Sequence, residues 1–351
     1  MISDGLGSLK RAFDPPAAIL TGWANAASMT ETSRRRLLAG LGSTITGVAV
    51  SGCLDDPPAS TADDASSHAT AEPPAADLPT TCPEYERVER VVCYDDVDTD
   101  DVDGFLDPSN RRVAPGETIE FTLYNRSDRR LATNFYNWVV HKHVDDEWHH
   151  VAPLGWNQPL MYVDPGDSHT WSLTVDNDDV EAGASVEPAG GTDDVTVMGL
   201  GGGHYAFRGR GWFEDESHES ATAFAATFEL DAEPLALTPT DAISDPEHEG
   251  DTLVAHSSRG DSDDDRARLA AFELERVDDP DDPPEPVILE QVVRREPLRD
   301  ALALAVEHDA DCVRIEEYDS ATPAFGAHDD AVFEFQGSTY EVTTKGLESD
   351  E

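Results

Sequence analysis

The chain has 351 residues, of which 73 are Asp or Glu and 24 are Lys or Arg, giving a formal net charge of -49. Its length and its 38% hydrophobic content provide for a packed core and up to two domains. With no basic patch to neutralise phosphates, nucleic acid is excluded as a partner, and the excess of like charge repels itself unless salt shortens the Debye length to about 3 Å, as at 1 M.

In chain order, the first informative segment is SRRRLLAGLGSTITGVAVSGC, Ser33 to Cys53. Its uncharged run from Leu37 to Gly52 is shorter than the roughly 20 apolar residues that span a bilayer. It reads as the apolar region of an export signal. SRRRLL resembles the twin-arginine signal, with Arg34 and Arg35 as the pair. Val50-Ser51-Gly52-Cys53 resembles the lipobox of exported lipoproteins. That resemblance implies that Cys53 takes a diacylglyceryl group and becomes the new N-terminus. Two acyl chains anchor stably where one holds marginally. Residues 1–53 are therefore assigned to the signal, and a start at Met29 would put the arginines at the usual distance from the terminus. Together with the acidic composition, the pattern resembles haloarchaeal exported lipoproteins. It implies a protein on the outer face of the cytoplasmic membrane.

Residues 54–81 are rich in Pro, Ala, Ser, Thr and Asp without a hydrophobic period, and read as a disordered stalk. Cys82 and Cys93 are the expected disulfide, because an exported chain meets an oxidising exterior and Cys53 is committed to lipid. Cys312 is then left as a buried free thiol.

Between residues 82 and 232, period-2 runs alternate with Gly, Pro, Asp and Asn. ETIEFTLYN puts Ile119, Phe121 and Leu123 on one face, SHTWSLTV does the same with Trp171, Leu173 and Val175, and SATAFAATFEL with Phe224, Phe228 and Leu230. Pro115-Gly116 and Pro165-Gly166 mark turns before two of these runs. The spacing predicts an antiparallel β-sandwich. GETIEFTLYNRSDRRL, VDPGDSHTWSL and GGGHYAFRG resemble the immunoglobulin-like domains of secreted and lipid-anchored prokaryotic proteins. The resemblance implies a tyrosine corner at Tyr205 and an inner tryptophan at Trp138. Phe207 stands where antibody domains carry cysteine, so their inter-sheet disulfide is absent. The acidic, glycine-rich insertion Asp176–Gly202 reads as a surface loop or a binding loop.

HKHVDDEWHH, His141 to His150, is the richest chemical candidate. A two-residue turn at Asp145-Asp146 pairs His141 with His150 and His143 with Trp148. His141, His143 and His150 then share a face, where neutral imidazoles could hold a transition metal. A one-residue slip would move the set to the other face, and exposed histidines on a hairpin are also ordinary surface residues. A blue-copper reading fails for want of a cysteine beside His218. Asn125-Arg126-Ser127 is a glycosylation sequon at Asn125. GLGGGH at Gly199–His204 leads into a strand and lacks the helix dipole of a phosphate cradle.

Residues 233–250 are rich in turn formers and read as a linker to a small α+β domain at 251–345. TLVAHSS, LAAFELERV and PVILEQVVRR read as strands there. EPLRDALALAVEH reads as a helix with Pro297 in its first turn and an apolar stripe of Leu298, Ala301, Leu302, Ala305 and Val306. CVRIEEYD, AVFEFQ and TYEVTT complete the sheet, the last two joined at Gly337-Ser338. This half resembles a small C-terminal domain of halophile proteins with no activity to carry over. The predicted fold class is mainly β, an immunoglobulin-like antiparallel sandwich followed by an α+β domain. No nucleophile–base pair stands out and no cofactor is implied, which points to a binding or structural protein rather than an enzyme. Its expected partners are the membrane, through the lipid anchor, and another protein. A metal-binding lipoprotein and an enzyme with a site between the two domains are the alternatives.

Overall fold

The computed structural model describes residue 79 and residues 81–280, 283–326 and 331–347. Arg34, Arg35, Cys53 and nearly all of the expected stalk lie outside the described residues. What is described is mainly β.

The first half contains β1 (Arg90–Cys93), β2 (Gly104–Pro108), β3 (Arg112–Val113), β4 (Thr118–Asn125), β5 (Leu131–Thr133) and β6 (Val139–Val144). These are followed by β7 (Glu147–Ala152), β8 (Met161–Val163), β9 (Ser168–Asp176), β10 (Asp194–Met198), β11 (Gly203–Phe213) and β12 (Thr222–Leu230). One sheet runs β1-β12-β11-β5-β8, with β3 on β12, β6 on β11 and β7 on β6; the other runs β10-β9-β4-β2. The alternating residues of β4, β9 and β12 point inward from both sheets into one core. There Phe121 stacks on Phe207 with centroids 4.4 Å apart, and Phe228 and Trp171 close around them. The Pro-Gly turns form as predicted: Gly116 and Gly166 have φ of 79° and 78°, and the amides of Glu117 and Asp167 donate back to Ala114 O and Asp164 O, both at 3.0 Å. A positive φ there suits glycine alone at no steric cost.

The sandwich is mixed rather than purely antiparallel. β1 and β3 run parallel to β12, and β10 runs parallel to β9. Side-chain alternation reveals that a segment is a strand but carries no information on its neighbour's direction. The insertion after β9 supplies the length that a parallel return to β10 requires.

Cys82 and Cys93 are joined, with Cα atoms 5.7 Å apart, which ties the irregular segment before β1 to that strand. Cys82→Ser with Cys93→Ser is expected to lower stability by about 3 kcal/mol from loop-closure entropy. Urea titration in molar salt would show this as a lower midpoint, and an unchanged midpoint would mean that other contacts already restrain the segment.

The second half contains β13 (Glu247–Glu249), β14 (Thr252–His256), β15 (Arg268–Arg276) and β16 (Glu285–Pro286), then helices α1 (Leu289–Val292) and α2 (Glu296–His308), and finally β17 (Cys312–Asp319), β18 (Ala331–Phe335) and β19 (Ser338–Gly346). Its sheet is ordered β13-β14-β17-β15-β19-β18-β16. Leu298, Ala301, Leu302 and Ala305 of α2 pack on Leu253, Phe272, Val313 and Ile315.

Three details depart from the sequence reading. Val306 is 51% exposed, whereas Leu304, Arg299 and Asp300 are buried, so α2 is covered on more than its predicted stripe. PVILEQVVRR forms a strand only at its first proline and then turns helical, with the Ile288 amide donating to the Gln291 side chain at 3.0 Å. Tertiary bonds made by Glu290 and Arg294 hold that turn against the β-branched preference of the segment. The last hairpin turns at Gln336-Gly337, one residue early, with φ of 50° and 80° and Phe335 opposite Ser338. In addition, Cys312 is half-buried rather than fully enclosed, and Thr252 Oγ1 lies 3.6 Å from its sulfur.

Residues 233–250 are held by their neighbours on both sides. Glu233 O accepts from Gly202, Thr240 donates its amide to Asp300 Oδ1 at 2.6 Å, and Ile243 bridges to Ser257. Both halves fall within a single compact unit.

Candidate functional site

The β6–β7 hairpin forms in the predicted register. Asp145 and Asp146 have φ of 51° and 65°, the left-handed pair of a type I′ turn, and His141 lies opposite His150, Lys142 opposite His149 and His143 opposite Trp148. His141, His143, Trp148 and His150 therefore share one face. The His141 and His150 rings meet edge to face at 5.3 Å, and His143 tilts onto Trp148 at 4.9 Å.

Two residues that sequence reasoning missed complete this face. Tyr85, in the segment tied down by Cys82, meets the His141 ring edge at 5.3 Å. Arg208 of β11 lies with its guanidinium carbon 5.3 Å from the centroid of the Tyr85 ring, and its Nη1 donates to the backbone and side-chain oxygens of Asn137. Among the described residues no carboxylate pairs with Arg208, although acids outnumber bases three to one in the chain. Its Nε, His141 Nδ1 and the Tyr85 hydroxyl are buried without a hydrogen-bond partner.

Burial sets the charge states. It holds His141 well below the ordinary imidazole range, reinforced by His150, Arg208 and His149. It brings His150 down to about 4, reinforced by the Arg208 and Arg294 charges. It also lowers Arg208 to about 10 and raises the Tyr85 phenol. Around His141 and His150 the face thus holds two neutral imidazoles, a neutral phenol and one cation.

The expected metal set does not assemble. Among the described residues no group of three or more His, Cys, Asp or Glu is placed to hold a metal ion. His143 tilts toward Trp148, and the Arg208 charge beside His141 and His150 opposes a second cation.

On the other face, Lys142 forms an ion pair with Glu290 of α1 in which the two side chains are 12% and 4% exposed. Glu290 also accepts from the Gly201 amide at 3.1 Å. Arg294 donates to Met198 O and Gly199 O, and Gln291 donates to His150 O at 3.0 Å. Arg299 of α2 donates to Val180 O, Ala184 O and Thr238 O at 2.6, 2.8 and 2.7 Å. The glycine-rich stretch therefore answers a carboxylate and an arginine rather than a phosphate. Gly202 passes so close to Ala232 O that a Cβ would lie 1.8 Å from it. The insertion Asp176–Gly202 is the surface that receives the helices, not a free loop.

Asn125 is 1% exposed, and its Nδ2 donates to Arg129 O and Val163 O at 2.7 and 2.9 Å. The sequon asparagine closes a turn from inside, and a glycan on Nδ2 is incompatible with those bonds. Trp138 is buried just before β6, with Nε1 donating to Gly191 O at 3.0 Å, and the hydroxyl of buried Tyr205 donates to Gly201 O at 2.5 Å. His218 lies 6.3 Å from Trp212 by ring centroids, away from the hairpin cluster.

Compared with known proteins, the chain matches no family model and no curated protein.

Proposed function

We propose that the chain is an exported, lipid-anchored protein of the cell surface, with a binding or structural role carried by an immunoglobulin-like sandwich. The observation that carries this reading is the arginine pair Arg34-Arg35 in register with Val50-Ser51-Gly52-Cys53 across an uncharged run. Each half is a modest signal, and their spacing makes them one. The Cys82–Cys93 bridge supports the reading, because disulfides persist outside the reducing cytoplasm. The immunoglobulin-like assignment is supported by two sheets sharing one core and by the Tyr205 hydroxyl, which bonds upstream as in a tyrosine corner. The halophile resemblance fits the charge of -49, which only concentrated salt screens well.

Intact-mass measurement on the membrane-extracted protein is expected to show a chain beginning at Cys53 and carrying a diacylglyceryl group. Cys53→Ser is expected to remove that modification and the partitioning into detergent that it confers. A mature chain with residue 53 unmodified and the leader still attached would overturn the proposal.

A further inference from the structure

From Ala152 to Val163 the chain carries no Asp, Glu, Lys, Arg or His, although more than a quarter of all its residues are charged. This stretch joins β7 to β8, and every residue from Leu154 to Leu160 is exposed, so it protrudes rather than lines a groove. Its large apolar side chains face solvent: Leu154 is 46%, Trp156 39%, Leu160 56% and Tyr162 41% exposed. They make up four of the seven exposed large hydrophobic residues among the described part of the chain. A soluble surface rarely leaves such a set together without a partner.

The scaffold beneath is built. Asn134 Nδ2 donates to Asn157 O at 2.7 Å, β8 pairs with β5, and the Arg130 guanidinium lies 4.0 Å over the Tyr162 ring while also bonding Asp164. The loop is presented, and the Arg130 charge beside it is paired with Asp164.

We infer that the Leu154–Tyr162 loop is a membrane-contacting surface that seats in the interfacial layer of the bilayer holding Cys53. This rests on the lipid-anchor reading above. Tryptophan and tyrosine favour the interface, where an apolar ring and a polar edge are both satisfied, and leucine adds buried area below them. A fluid surface accepts a protruding loop without a shaped socket. Charge favours the same face at close range, because within the roughly 3 Å that molar salt leaves unscreened a carboxylate coat is repelled by anionic lipid headgroups and an uncharged loop is not. Reach permits it. β8 sits at the opposite edge of its sheet from β1, about 19 Å away at the usual strand spacing. The 28 residues of 54–81 can span up to about 95 Å. Lipid at Cys53 would keep the loop at high local concentration, so that weak insertion suffices to orient the domain.

The test uses the mature chain, beginning at position 53 and carrying Cys53→Ser so that neither leader nor lipid is present, in molar salt, with vesicles of phosphatidylcholine and phosphatidylglycerol at 3:1. The chain is expected to float with vesicles, and Trp156→Glu with Leu160→Glu to weaken flotation at least about tenfold. Val306→Glu, at an exposed apolar site on α2, should change nothing. Brominated acyl chains are expected to quench tryptophan emission, with part of that quenching lost in Trp156→Phe. Equal flotation of the Trp156/Leu160 variant, or quenching unchanged by Trp156→Phe, would overturn the inference. A dimer in sedimentation that this variant abolishes, without any vesicle binding, would also overturn it and assign the face to a second copy of the chain. The state of Cys53 is read separately by mass, so failure of the loop and failure of the anchor give different results.

Discussion

Glu290→Ala is expected to destabilise the fold by about 3–5 kcal/mol, the range for removing one partner of a buried ion pair. Glu290 is 3% exposed and answers two donors from the sandwich, Lys142 and the Gly201 amide. Removing the carboxylate leaves the ammonium of Lys142 enclosed without its counter-charge, and a buried amide without its acceptor. Both penalties fall on the folded state alone. The same change should loosen α1 against the sandwich, leaving Gln291 and Arg294, one and four residues further along, to hold it there. Lys142→Met combined with Glu290→Leu is expected to lose much less, since neither charge is then stranded. Urea titration in molar salt checks both variants. A loss below about 1 kcal/mol for Glu290→Ala would mean that water reaches Lys142 and the pair is not enclosed.

These buried charges mark where the sequence stops being legible. The alternation in ETIEFTLYN and SHTWSLTV predicted β4 and β9 with the correct inward faces, because a half-buried strand writes its burial at period 2. The Asp145-Asp146 turn and the helix at Glu296–His308 were legible for similar local reasons. What joins the halves was not. Glu290 answers Lys142, Arg294 and Arg299 donate to carbonyls of the sandwich, and Asp300 pairs with Arg259, in a chain so acidic that its carboxylates carry no pattern. A usable signal was the scarcity of cations. Arg208 sits inside a strand, and Arg294 and Arg299 sit in apolar surroundings, where each of the 24 Lys and Arg is conspicuous. The metal reading of the hairpin failed on a different point. Register could be read from the turn, but the approach of Tyr85 and Arg208 from distant sequence could not.

The hairpin makes its own prediction, in the pH dependence of stability. His150 is held down to about 4 and His141 well below its usual value, so the folded chain resists protonation at both sites. An unfolded chain takes up these protons as pH falls through about 6.5. Between roughly pH 6.5 and 4 the unfolded state therefore binds more protons, and stability must fall as pH falls. At 1.36 kcal/mol per pKa unit, His150 alone could contribute up to about 3 kcal/mol, less whatever solvent screens at its partly exposed edge. His149 and His169, also lowered by burial, act in the same direction. Protonation of the carboxylates would relieve the self-repulsion of an acidic chain, but that opposing effect begins mainly near their own pKa values of about 4. From pH 6.5 to 5 the histidines should dominate, and the denaturation midpoint should drop. Replacing both with glutamine, His141→Gln and His150→Gln, should flatten that segment of the profile even if it lowers stability throughout. A profile that keeps its full slope in the double variant would place the proton-linked groups elsewhere. A wild-type midpoint constant from pH 6.5 to 5 would show that His141 and His150 are not enclosed beside Arg208.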